Sequence, residues 1–414
     1  MNIYAIIILS ALIFEYVFDL ITEILNLKAL ESDLPDEFKD VWDEDQYQKS
    51  QEYTRVNIKF GIMTSSLSLI LTLVFWFAGG FQYLDSIVRQ WELSMIWRGL
   101  CYIGILILLR SFFSLPFAIY KTFVIEEKFG FNKTTWKTFV SDMIKGLALA
   151  VILGAPILAG VLAFFQYAGN YAWFYAWMVT TLFTLIIQYV APRWIMPLFN
   201  KFEPLEEGEL KSEIMDYADS VDYRLEGVYV MDGSRRSSKS NAFFTGFGKN
   251  KRIALFDTLI DKHTIPELLT VLAHEIGHFK KKHILKGLII SIIHSGVVFY
   301  LLSIFLNHKG LYDAFYMEHQ SIYAGLIFFG LLYSPIEFIL SIFMQLFSRK
   351  HEIEADEFVV RTTDKAESFI SALKKLSANN LSNLRPHPLY VFFNYSHPPI
   401  LQRIKHIKKL AKSR

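Results

Sequence analysis

Seven stretches of this 414-residue chain are long and apolar enough to cross a lipid bilayer, and no other feature limits its fold as strongly. A spanning helix needs about 20 mostly apolar residues, and its backbone polar groups must be satisfied within the segment. The windows are residues 3–25, 60–81, 99–120, 146–192, 287–307 and 321–346. The charge-free run over 146–192 is too long for one span. It divides at YAGNYAW, where Gly169-Asn170 is a turn signal. Hydrophobic residues make up 53% of the chain and charged residues 20%, so the charges must be segregated. The first window lacks the basic start and small-residue cleavage site of a signal peptide, and is read as a retained span.

Lysine and arginine set the expected orientation. The loops after spans one, three and five are rich in them, with Lys28, Lys39, Lys49 and Arg55, then Lys121, Lys128, Lys133, Lys137 and Lys145. The opposite loops carry little beyond Arg89, Arg98 and Lys309. The N-terminus is therefore expected outside and the C-terminus in the cytosol. Two polar regions, 201–286 and 348–414, fall on the cytosolic side. This divides the chain into a membrane region, 1–200, and a region 201–414 that holds the last two spans and the polar segments. MDGSRRSSKSN, residues 231–241, is the best candidate for a mobile loop. A net charge of +2 argues against nucleic-acid binding, and the single cysteine, Cys101, rules out an internal disulfide or a cysteine metal cage.

HEIGH, residues 274–278, places His274 and His278 on one helix face, where both imidazoles can bind one metal. Glu275 is the candidate general base. A catalytic zinc usually takes three protein ligands. Spans six and seven form an antiparallel hairpin. If their helices continue past the membrane, SRKHEIEADEF returns to the depth of His278. There Glu352 and Asp356 share a face. Glu352 is the candidate third ligand, with His351 its rival, and Asp356 can hold the far nitrogen of a ligating histidine. Glu354 is expected in solvent. Within the spans, Glu15, Asp19 and Glu23 form one stripe, and Arg110, His294 and Glu337 are isolated. Ionisable groups at such depth face a cavity or each other, for example Arg110 with Glu337.

HExxH, two spans and an ExxxD helix together resemble the integral-membrane CAAX-prenyl zinc metalloproteases. IEEKFGFNKTT (125–135), IMPLFNKFEPL (195–205), SNAFFTGFGKNKRIALFDTLI (240–260) and NYSHPPILQRI (394–404) are similar to further segments of that family. The resemblance implies a mainly α, polytopic membrane protein whose seven long helices enclose a water-filled chamber. It also implies a gluzincin-like zinc protease domain on the cytosolic side, carrying a small β element. It implies one Zn2+ per chain and zinc-dependent cleavage of peptides or proteins, possibly lipid-modified, with removal of a C-terminal tripeptide. Asn241 and Ala242 would begin an edge strand that pairs with substrate. His397 and Arg403 would stabilise the oxyanion.

Membrane lipid is the other expected partner, and a monomer the expected state. Short loops and the lack of a retention signal lean toward a bacterial plasma membrane rather than endoplasmic reticulum. A membrane quality-control zinc protease without a prenyl substrate is the nearest alternative. A seven-span receptor or transporter with a coincidental HExxH is the alternative from another class.

Overall fold

A computed structural model describes residues 1–31, 33–245 and 252–413. Its long apolar helices are Ile3–Lys28, Glu44–Phe77, Met95–Glu126, Trp136–Tyr167, Gly169–Leu198, His283–Phe305 and Ile322–Thr362. The apolar windows fall largely within these helices, and several helices run on into polar sequence. Asn2 Oδ1 caps the first by accepting from the Ala5 N–H at 3.0 Å, and Asp43 Oδ1 caps the second through Gln46 N–H at 2.6 Å. The second window overran its helix. The chain leaves the helical path at Gly79 (φ 73°), which glycine adopts without strain, and a short helix Gly80–Gln90 follows. A Cβ on Gly80 would lie 2.6 Å from the Phe75 ring, so the turn needs both glycines.

The spans form a ring in chain order. Each touches the next, and the seventh returns to the first. No more than 22% of the most apolar window of any span is buried within the protein, so most of that surface is left for the surroundings of the ring. Glu337 lies 3.2 Å from His294, not against Arg110, and Arg110 is exposed. The expected Arg110–Glu337 pair does not form. One end of the ring is closed by an aromatic core that includes Trp76, Phe81, Tyr102, Phe315, Tyr323 and Phe328.

The other end carries a second core, built around the helix Ile265–Lys280. Phe38, Trp42, Phe129 and Phe131, from the loops between early spans, join it. The division at residue 200 therefore separates segments of sequence but not of packing. A four-stranded sheet covers this core in the order β1 (Phe202–Pro204), β2 (Gly227–Met231), β4 (Arg252–Phe256), β3 (Ala242–Thr245). Strands β2 and β4 are parallel, and β3 pairs antiparallel with β4 at the sheet edge. Residues 246–251, within the strand motif noted above, lie outside the described residues.

The segment expected to be a mobile loop is tied down. Arg236 binds Asp142 with two nitrogens at 2.8 and 2.9 Å, and Lys239 Nζ reaches Glu126 at 2.9 Å and Tyr53 at 2.8 Å. Its basic and hydroxyl side chains are long-range fasteners, so their polarity gives no measure of freedom.

Candidate active site

The helix Ile265–Lys280 starts at a capping box, with Thr264 and Glu267 bonded reciprocally. Its apolar face (Leu268, Leu269, Leu272, Ala273 and Ile276) is buried in the inner core. The same helix presents His274 and His278 toward the last four turns of span seven. Gly277 sets the distance between the two helices. A Cβ there would stand 3.2 Å from Phe358 Cβ and 3.3 Å from Ala355 Cα. The third residue between the histidines must be this small for Glu352 and Asp356 to come alongside.

Among the described residues, one group of side chains could hold a metal: His274, His278 and Glu352. The two Nε2 atoms are 3.1 Å apart, and each lies 3.3 Å from a Glu352 carboxylate oxygen. In a tetrahedral zinc site with bonds of about 2.0–2.2 Å, neighbouring donors lie about 3.3–3.6 Å apart. The contacting pairs are close to that spacing, with each histidine meeting a different oxygen of the Glu352 carboxylate. Glu352 Oε2 is buried and turned toward His274 Nε2 and the Arg403 guanidinium. Burial opposes a charge on His274, yet hydrogen bonds to Asp356 and Glu352 outweigh it and lift the ring to about 9. The spot favours positive charge, and its nitrogen and carboxylate donors suit zinc.

Supporting groups fix the ligands. His274 Nδ1–H donates to Asp356 Oδ1 at 3.0 Å, leaving Nε2 free to ligate. Arg403 grips Asp356 from behind with two nitrogens, at 2.6 and 2.8 Å. Burial works against the Arg403 charge, but the Asp356 carboxylate outweighs it and keeps the guanidinium protonated. Arg403 thus engages the support of a ligand while it also lines the cleft. His351 is buried, and its ring stacks on His283 at 3.8 Å, which removes it as the rival ligand. Glu354 is not solvated as expected: its Oε2 accepts from His283 Nε2 at 2.9 Å.

An open cleft of about 400 Å³ lies over the site. Asn241, Ala242, His274, Glu275, His278, Glu352, His397 and Arg403 all contribute to its lining, so most of the residues singled out by sequence meet in one place. Burial raises the Glu275 carboxyl above the ordinary carboxylate range. His397 stands at the rim, its Nε2 3.2 Å from Glu352 Oε1 and its Nδ1 2.8 Å from Ser396 Oγ. Phe369, Leu373 and Leu376 form an apolar wall that sequence reasoning missed. Their spacing of four and three on one helix was the available signal.

Residues 23–201 match the family described as CAAX prenyl protease N-terminal, five membrane helices, and residues 204–411 match peptidase family M48. The chain is 36% identical to CAAX prenyl protease 1 of Saccharomyces cerevisiae, over 91% of this chain and 89% of that protein. It is 32% identical to the human CAAX prenyl protease 1 homolog, again over 91% and 89%. The crystal structure of S. mikatae Ste24p superposes with a TM-score of 0.93 at 34% identity, covering 98% of this chain and 99% of that one. These relatives are eukaryotic and give no support to a bacterial membrane.

Proposed function

The chain belongs to the CAAX prenyl protease family of M48 zinc metallopeptidases, and from that premise we propose how its residues divide the reaction and what it cuts. His274, His278 and Glu352 would hold one zinc per chain. Bound there, zinc supplies a Lewis acid that polarises the scissile carbonyl and acidifies water. Glu275, desolvated on the cleft floor, takes the proton of the attacking water and delivers it to the leaving amine nitrogen. His397, at the rim, donates a hydrogen bond to the carbonyl oxygen as negative charge develops on it. Arg403 is a positioning residue that holds Asp356, and through it His274. The outer edge of β3, from Asn241 and Ala242, pairs with an extended peptide and lays its backbone across the site.

The proposed substrates are prenylated proteins ending in a CAAX sequence, cut to release the last three residues. The ring of spans next to the cleft offers a lipid-modified end a place beside the bilayer. The eukaryotic relatives favour an endoplasmic-reticulum membrane. With the lysine-rich loops taken as cytosolic, the cleft would open on the cytosolic face, the chain acting as a monomer. The observation that carries this reading is the triangle of three donors with Glu275 beside it.

Detergent-purified wild type and Glu275→Gln would each be given a farnesylated CAAX peptide and its unlipidated twin. Products would be read by mass spectrometry, and zinc in both proteins by elemental analysis. Chelator-sensitive loss of the terminal tripeptide by wild type alone, faster on the farnesylated peptide, is expected. Cutting by Glu275→Gln at the wild-type rate would refute the assigned base. Equal rates on the two peptides would refute the prenyl requirement and favour a quality-control role.

A further inference from the structure

The two zinc-site histidines are supported differently. His274 leans on a charged carboxylate, Asp356. His278 leans on another imidazole: His278 Nδ1 and His283 Nδ1 are 3.0 Å apart, and the far nitrogen of His283 meets Glu354 Oε2 at 2.9 Å. The contact depends on a break in the chain. The zinc helix ends at Lys280, Lys282 takes a left-handed backbone (φ 58°), and span six starts at His283. On an unbroken helix, residues five apart point about 140° away from each other. The break folds His283 back so that its ring centre is 5.1 Å from that of His278. His351 fixes the plane of the His283 ring, stacked at 3.8 Å and 10°.

Two imidazole nitrogens in hydrogen-bond contact must share one proton between them, and the direction of that bond sets both tautomers. For His278 to ligate through Nε2, its proton must sit on Nδ1 and be donated to His283 Nδ1. His283 Nδ1 must then be bare, so His283 carries its proton on Nε2. Glu354, which as a carboxylate can only accept, enforces that choice. In the reverse arrangement His283 Nδ1–H would point at His278 Nδ1 and push the His278 proton onto Nε2, closing that nitrogen to metal.

We propose that His283 and Glu354 form a positioning relay that holds His278 in its metal-binding tautomer, with Glu354 accepting from His283 and His283 accepting from His278. The relay rests on the zinc assignment above and adds two residues to it. Neither is among the residues lining the cleft, so both act through His278.

The test measures the zinc dissociation constant by chelator competition on purified protein stripped of metal and reloaded. His283→Phe keeps the flat ring against His351 but cannot accept, and should weaken zinc binding about 10–100-fold. His283→Asn offers an amide oxygen at the place of Nδ1 and should restore most of the affinity. Glu354→Gln lets the relay run backwards and should weaken binding in the wild-type background but add nothing to His283→Asn. A general loss of structure would not be rescued by asparagine, nor be blind to Glu354 in that background. Wild-type affinity in folded His283→Phe, failure of rescue, or a Glu354→Gln effect of equal size in both backgrounds would overturn the relay. If His283→Phe does not fold, the asparagine and glutamine variants decide alone. Should wild type bind no zinc, the assignment of the site fails and the relay falls with it.

Discussion

Span two and the zinc helix are both helices rich in leucine and isoleucine, yet the structure treats them in opposite ways. In span two, 6% of the most apolar window is buried within the protein. In the zinc helix Leu268, Leu269, Leu272, Ala273 and Ile276 are all less than 5% exposed. Span two leaves most of its apolar surface outside the protein's own packing, so its apolar residues satisfy the bilayer rather than each other. The zinc helix must exclude water, and does so by packing against the sheet, span seven and the C-terminal helices. Apolar sequence therefore means solvent compatibility in the wall and close packing at the site. Single side chains should matter far more in the second region than in the first.

The sharpest contrast is chemical. Glu275→Gln should lower kcat by about 10²–10⁴-fold with zinc content unchanged, as peptide cleavage and elemental analysis would show. Next comes Arg403→Leu, which leaves Asp356 buried without its cation. A destabilisation of about 3–5 kcal/mol is expected, visible as a lowered Tm together with weaker zinc retention. The comparison can be broken at the closed end of the ring. Asp85 there is fully buried, bonded to Arg89 at 2.6 Å and to the Tyr323 hydroxyl at 2.5 Å. Asp85→Ala should cost about 2–3 kcal/mol, approaching a change in the catalytic layer; a neutral result would extend the tolerance of the wall to its cap.

A smaller effect depends on pH. Burial alone would raise the Glu267 carboxyl, but hydrogen bonds from Lys375, Ser371 and the Thr264 N–H outweigh it and hold it below its ordinary 4.5. A lowered carboxylate adds stability above pH 4.5 that disappears as pH falls through its folded value. Glu267→Gln should therefore lower the Tm at pH 7 by the equivalent of about 1–3 kcal/mol, and the gap to wild type should narrow in acid. Smallest of all, Ile152→Ala, at a wall position 66% exposed, should stay within about 0.5 kcal/mol of wild type in a thermal melt.

Much of this was legible beforehand where the signal is local. Glu352 was reachable because span seven continues as one helix from Ile322 to Thr362, and a rise of about 1.5 Å per residue carries it to the right depth. On the other side of the hairpin His278 reaches the same depth although the helix is broken there, the zinc helix ending at Lys280 and span six starting at His283. His283 escaped notice for that reason. Glu354 was read as solvated because it lies off the face shared by Glu352 and Asp356; its partner comes from a different helix.

By itself the sequence determined seven spans, the side on which positive charge accumulates, and the residues able to hold zinc. Those follow from hydrophobicity and helical period, which act over a few residues and do not depend on what packs nearby. Only the tertiary structure decided that Arg403 grips Asp356, that Lys239 fastens a supposed loop to Glu126, and that Glu354 answers His283 from 71 positions away. Each is a contact between polar groups far apart in sequence. Which of them meet is fixed by the paths of helices that run to the bilayer and back, and that information is not written in any local stretch.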